Sequence, residues 1–205
     1  MRFLEFKAHF KPFKVFSTRD ILKWDADFDT RRLVEWQDKN YVVKLINRWY
    51  LFADELVDEK LLQLTANRIY SPSYVSFESA LAYYRLIPEG VFSMTSATTL
   101  LTKSFDTPVG RFAFRHLRPQ LFFGYQLVTV NGYTIKMAEP EKVILDYLYL
   151  NSSLKNETDM ESLRINKEAF TQHVQVSKLM RYLTLFNNRL LEKRVDHLLK
   201  TIGHA

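Results

Sequence analysis

Along the first fifty residues the apolar positions keep a helical period and then switch to a strand-like one. Phe3, Phe6 and Phe10 recur at helical spacing with Glu5, Lys7 and His9 between them, which predicts a short amphipathic helix over 2–10 that Pro12 ends. Ser17-Thr18-Arg19-Asp20 has the form of a capping box, in which Ser17 takes a free backbone N–H and Asp20 reaches back. The helix it opens is expected to bury Ile21, Leu22 and Trp24. Asp25-Ala26-Asp27-Phe28 reads as a turn, because Asp side chains favour local hydrogen bonds over helix. Asp29 or Thr30 then caps a third helix over 30–39, with Leu33, Trp36 and Val34 inward and Asn40 where it stops. Two β-rich runs follow, 41–46 and 49–52, and Asn47-Arg48 between them is a gap of hairpin length.

Helix, helix, turn, helix and hairpin is the order of a winged helix-turn-helix, expected over 1–53. A linking helix over 54–70 carries Leu56, Leu61, Leu62, Leu64 and Ile69 on one side, and Tyr70-Ser71-Pro72-Ser73 breaks it, so the linker is drawn as 54–71. The unit over 72–150 has a helix at 77–86 closed by Pro88, and strand-like runs at 91–99 and 111–116. A hairpin is expected over 127–135 around Asn131-Gly132, then a helix at 139–150 with Pro140 at an early position. These elements predict a mixed α+β unit built on antiparallel pairs, with Phe92, Phe112, Phe114, Phe122, Phe123 and Tyr125 in its core. In the C-terminal segment, 151–205, residues 151–162 read as a polar loop. Two helical stretches over 167–202 then bury Val174, Leu179, Tyr182, Leu183 and Phe186, and Leu190, Leu191, Val195 and Leu198. The expected class is α+β, with no internal repeat.

Composition narrows the function. A chain of 205 residues makes one large domain or two small ones, and 47% hydrophobic with 25% charged residues excludes wholesale disorder. The absence of Cys excludes a disulfide scaffold, Cys-ligated zinc and thiol catalysis. No apolar run nears the ~18 residues of a membrane span, and 1–16 is too charged for a signal peptide, so a cytoplasmic protein without membrane contact is expected. Five Gly and no phosphate-cradling glycine motif argue against a bound nucleotide, and no cofactor is expected. The net charge of +6 permits nucleic-acid binding, and its placement is informative. Residues 1–53 carry 11 basic and 7 acidic side chains, 54–150 carry 9 and 10, and 151–205 carry 9 and 6.

The third helix is the main functional candidate. With Leu33 and Trp36 inward, Thr30, Arg31, Arg32, Glu35 and Lys39 are left outside, where the start of such a helix enters the major groove and Arg reads guanine. Lys44, Asn47 and Arg48 lie at the hairpin tip, placed for phosphates or the minor groove. Asp25, Asp27 and Asp29 oppose that approach. A second basic surface is suggested by Arg111, Arg115 and Arg118 with His116, and by Lys178, Arg181, Arg189, Lys193, Arg194 and Lys200; the alternative for each is a solvated face. His9, His116, His173, His197 and His204 show no metal-ligand spacing. Glu139, Glu141 and Lys142 invite comparison with nuclease carboxylate–lysine sets, but adjacent Glu141-Lys142 at a helix start fits stabilisation of the helix dipole better. A nuclease-related enzyme in the middle domain and a non-catalytic protein-interaction module stay as alternatives to a DNA-binding protein.

One series of motifs goes further. Residues 74–84, Tyr-Val-Ser-Phe-Glu-Ser-Ala-Leu-Ala-Tyr-Tyr, are followed by Leu86-Ile87-Pro88-Glu89, Thr95-Ser96, Thr98-Thr99 and Phe105-Asp106-Thr107-Pro108-Val109-Gly110-Arg111-Phe112. Then come Phe122-Phe123-Gly124, Ala138-Glu139-Pro140-Glu141-Lys142, Leu145-Asp146 and Leu148-Tyr149. In that order over 72–150 the series resembles the core domain of AbiEi-type antitoxins, regulators of abortive-infection, type IV toxin–antitoxin systems. The resemblance implies a winged-helix N-terminal domain that binds operator DNA and represses its own operon. It also implies a C-terminal region that neutralises a nucleotidyltransferase-like toxin, with no direct contact required. Where the family usually has Thr before Pro-Glu-Lys this chain has Glu139, a change expected to alter a helix cap.

Overall fold

In the computed structural model, residues 2–130 and 132–203 are described; Asn131 of the expected hairpin and His204 lie outside them. The N-terminal elements are α1 (Phe3–Phe10), a 3-10 turn (Lys11–Phe13), β1 (Val15–Ser17), α2 (Thr18–Trp24), α3 (Arg31–Asp38), β2 (Val42–Ile46) and β3 (Trp49–Phe52). The capping box forms as its residues require: the Asp20 N–H donates to Ser17 Oγ at 3.2 Å and the Ser17 N–H to Asp20 Oδ2 at 2.8 Å. The strands make an antiparallel sheet in the order β1-β3-β2, with Phe16 and Lys44 flanking Tyr50. Strand β1 was not expected, since three residues are too few to display an alternation. One face of the sheet closes on Phe6, Phe10, Ile21, Phe28, Leu33 and Trp36, with Phe6 centred 4.7 Å from Trp36 and 4.8 Å from Phe10. Leu22 and Val34, expected inward, are exposed, because helices of seven and eight residues present one narrow stripe, already taken by Ile21 in α2 and by Leu33 and Trp36 in α3. Trp24 is half-buried and stacks on His9 at 4.2 Å.

The other face of the same sheet is buried too. Val15, Leu45 and Leu51 join the main core, which includes Leu61 and Leu64 of α4 (Glu59–Ile69). Asp58 caps α4 by accepting from the Leu61 N–H at 2.8 Å. The helix therefore starts five residues later than its apolar pattern suggests, and Leu56 precedes it and is exposed rather than packed. Two ion pairs join the N-terminal elements to the segment before α4: Lys7–Asp54 and Lys14–Glu55, each at 2.6 Å.

The remaining strands are β4 (Ser73–Val75), β5 (Ser93–Thr98), β6 (Lys103–Thr107), β7 (Gly110–His116), β8 (Tyr125–Val130) and β9 (Tyr133–Ala138), with α5 (Phe77–Tyr83) after β4 and α6 (Pro140–Leu150) after β9. They form one sheet in the order β6-β7-β5-β4-β9-β8. The pairing is mixed, not wholly antiparallel: β5 with β7 and β4 with β9 run parallel. Hairpin signals report only on neighbours in sequence, whereas a parallel pair joins strands separated by other elements. Phe112 and Phe114 are buried as their alternation predicts. Phe92 is fully exposed, because β5 begins one residue after it.

Four helices follow among the described residues: α7 (Glu157–Ser162), α8 (Lys167–His173), α9 (Val176–Phe186) and α10 (Arg189–Ile202). Helix α7 replaces part of the expected loop. Asn156 and Asp159 cap it reciprocally, but Met160 is its single buried residue, too little for an apolar period to show. Val174-Gln175 divides the expected first stretch into α8 and α9. Leu190, expected inside, is exposed at the start of α10, where Leu191, Val195, Leu198 and Ile202 form the buried stripe.

Strand β4 and helix α6 meet through a polar cluster without solvent contact. Lys142 donates to Asp146 and, at 2.9 Å, to Tyr74 Oη; Tyr74 and Ser76 donate to Asp146 Oδ2 at 2.8 and 2.9 Å. The Lys142 ammonium also lies 5.1 Å from the ring centres of Phe123 and Phe186. Burial pushes the Lys142 ammonium down and the Asp146 carboxyl up, and their mutual attraction opposes both shifts. Removing one partner strands a buried charge, which costs about 3–5 kcal/mol, whereas replacing both with apolar groups costs far less. Asp146→Ala is therefore expected to lower unfolding stability by about that amount and Lys142→Met/Asp146→Leu by much less; urea denaturation compares them, and equal losses would contradict the pairing.

Candidate nucleic-acid interface

The groove between α2, the start of α3 and the β2–β3 hairpin is built by backbone contacts. Arg48 takes the left-handed conformation at the hairpin turn, with φ of 70°, and its carbonyl accepts from the Thr18 N–H at 3.0 Å. That bond draws the hairpin tip against the start of α2 and leaves the Arg48 side chain exposed. The groove has a volume of about 750 Å³; Arg19, Lys23, Thr30, Asn47 and Arg48 are among its lining residues. Lys44 is exposed on β2, opposite Tyr50 and hence on the helix-facing side of the sheet. Among the described residues Arg19, Lys23, Lys44 and Arg48 form no ion pair.

The outer face of α3 is charge-balanced by contrast. The Arg31 guanidinium chelates Asp29, with Nε at 2.9 and 3.0 Å from the two carboxylate oxygens and a terminal nitrogen at 2.8 Å. Hydrogen bonding to Arg31 holds Asp29 below the usual carboxylate range. Lys39 pairs with Glu35 at 2.6 Å, which lowers the Glu35 pKa and raises that of Lys39. Arg32 is half-buried. Seven of the eight residues singled out in sequence thus separate into two groups. Thr30, Asn47 and Arg48 converge on the groove with Lys44 near it, whereas Arg31, Glu35 and Lys39 sit in local pairs at α3. The half-buried Arg32 belongs to neither group. Arg19 and Lys23 were not in that set, although their i, i+4 spacing on a helix with one buried stripe marks them as neighbours on its open side.

The residues of the second basic surface are dispersed among different tasks. Arg111 approaches Asp106 at 3.6 Å across the β6–β7 pair. Arg115 donates to Glu78 at 2.8 Å and covers the Phe77 ring. Lys178 lies 3.1 Å from Glu139 and 3.3 Å from Glu141. Its burial acts against its charge, but the two carboxylates raise its pKa overall. Glu139 also accepts from Tyr182 Oη at 2.6 Å, so its side chain ties α9 to the start of α6 and makes no cap to that helix. Gly124 sits under this junction with φ of 67°, where an added Cβ would come within 3.0 Å of the Tyr182 ring and 3.1 Å of Lys142 Cγ. Glu141 and Lys142 are buried, which leaves them unavailable as an exposed nuclease pair. Arg118, Arg181 and Lys193 remain exposed.

Arg194, expected on a basic helix face, is buried. It donates to the carbonyls of Leu148 and Leu154, both at 3.0 Å, and fastens α10 to the end of α6. Position in the buried stripe decides this: Arg194 immediately precedes Val195 and follows Leu191 by three residues. Arg194→Ala should therefore cost about 3 kcal/mol of stability by orphaning buried carbonyls, read by thermal or urea unfolding; a surface cation would cost almost nothing. Among protein-family models and curated proteins, nothing matches this sequence.

Proposed function

We propose that residues 1–53 form a winged helix-turn-helix that binds double-stranded operator DNA, and that the chain represses its own operon as the antitoxin of a type IV, abortive-infection system. The order α1-β1-α2-α3-β2-β3 and the strand order β1-β3-β2 support the first part. The observation that carries it is the groove, where Arg19, Lys23 and Arg48, with Lys44 nearby, present positive charge that no acidic side chain neutralises among the described residues. A phosphate backbone is the ligand such a set suits, because each cation it meets releases a condensed counterion.

In this reading the groove cations hold phosphates, and α3 supplies base contacts through Thr30, Arg31 and Arg32. Arg31 exchanges Asp29 for a guanine edge at small cost, since solvent screens an exposed ion pair. The antitoxin part rests on the motif series over 72–150, whose functional partner is a nucleotidyltransferase-like toxin.

Binding to a fragment of its own promoter is expected to fall steeply with salt. Arg19→Ala, Lys23→Ala and Arg48→Ala should each weaken all sequences alike and reduce the log–log salt slope by about 0.9. Arg31→Ala with Arg32→Ala should instead reduce discrimination between promoter and scrambled DNA, by about 1–3 kcal/mol per lost base contact. Fluorescence anisotropy measures both quantities, and unchanged promoter binding in these variants would refute the assignment.

A further inference from the structure

Strand β8 closes one end of the six-stranded sheet, and its outer edge is unprotected. The Glu139 N–H donates to the Gly124 carbonyl at 2.9 Å, which fixes the ladder: Gly124, Gln126 and Val128 bond towards β9, so the N–H and C=O groups of Tyr125, Leu127 and Thr129 point away from it. Among the described residues no hydrogen bond reaches those outward groups. The opposite edge of the sheet is guarded. Strand β6 carries Lys103 and Asp106 and lies near β2. Strand β8 reads Tyr-Gln-Leu-Val-Thr-Val, without charge, Pro or Gly, and Leu127 is 63% exposed.

A groove of about 780 Å³ runs along this edge and is lined by three consecutive residues, Gln126, Leu127 and Val128, so it meets the strand's backbone and not one face alone. Its walls carry one exposed cation, Arg85, and one exposed anion, Glu168, and neither forms an ion pair among the described residues. One charge of each sign beside an uncharged strand is self-complementary under a two-fold axis.

We propose that the chain dimerises by antiparallel pairing of β8 with β8 of a second copy. The axis passes at Leu127, so that Leu127 faces Leu127 and Tyr125 faces Thr129. This register pairs the outward backbone groups of both strands, buries the exposed leucines against each other, and sets Arg85 of each copy towards Glu168 of the other.

Sedimentation equilibrium of the full chain should show a concentration-dependent dimer. Leu127→Pro removes an N–H that points away from β9, so the internal ladder is kept and the variant still unfolds cooperatively while the dimer is lost. Leu127→Lys should act in the same way, as a charge on an edge strand. Arg85→Glu or Glu168→Arg should weaken dimerisation about tenfold, and the double exchange should restore it. A wild-type chain that stays monomeric, or a dimer that survives Leu127→Pro, would overturn the proposal.

Discussion

The three-stranded sheet β1-β3-β2 is the constraint on which the arrangement depends, because both of its faces are buried. One face closes on the aromatic cluster around Phe6 and Trp36, and the other, through Val15, Leu45 and Leu51, is continuous with the core over α4. Five residues of β1 and β3, side by side, therefore serve two packing tasks at once: Phe16, Tyr50 and Phe52 point one way, Val15 and Leu51 the other. A slip of one residue would exchange the two sets and expose both cores. The consequence for function is orientation. The groove between α2, α3 and the hairpin is held by the same sheet that anchors the N-terminal elements to the rest of the chain.

A second constraint acts on the far side of the large sheet. Lys142 and Asp146 occupy space where apolar side chains would be less costly, and their cost is offset by Tyr74 and Ser76, which complete the hydrogen bonding of the carboxylate. Beside them, Glu139, Lys178 and Tyr182 link the start of α6 to α9. Glu139, Glu141 and Lys142, which in sequence invite a catalytic comparison, are thus consumed in holding strand, helix and C-terminal helices together. Arg194 does the same at the other end of α6.

Much of the N-terminal architecture was legible because its signals are local. The capping box at Ser17, the helical spacing of Phe3, Phe6 and Phe10, and the two-residue gap at Asn47-Arg48 each act within a few positions. The features that escaped are those set by distant partners: the parallel pairs β5–β7 and β4–β9, the three-residue strand β1, and the burial of Arg194 and Lys142. Exposure of Leu22, Val34 and Leu190 escaped for a related reason, since an apolar residue next to a buried one is indistinguishable from it until the width of the buried stripe is known. At the candidate interface the hairpin tip was readable. The neutralisation of Arg31 by Asp29 is foreshadowed by the run of Asp residues before α3, whereas Arg19 and Lys23 join the site only through the fold, which sets α2 beside the hairpin.

The proposed contact with nucleic acid lies at the groove between α2, α3 and the hairpin. Backbone amide NMR of the full chain, titrated with its own promoter duplex, tests it most directly. Perturbation concentrated at 18–23, 30–35 and 44–48, with the sheet edge at β8 and the C-terminal helices unchanged, is the predicted result. Perturbation confined to 111–118 or to α9 and α10, or none at saturating duplex, would rule out nucleic-acid binding at this groove.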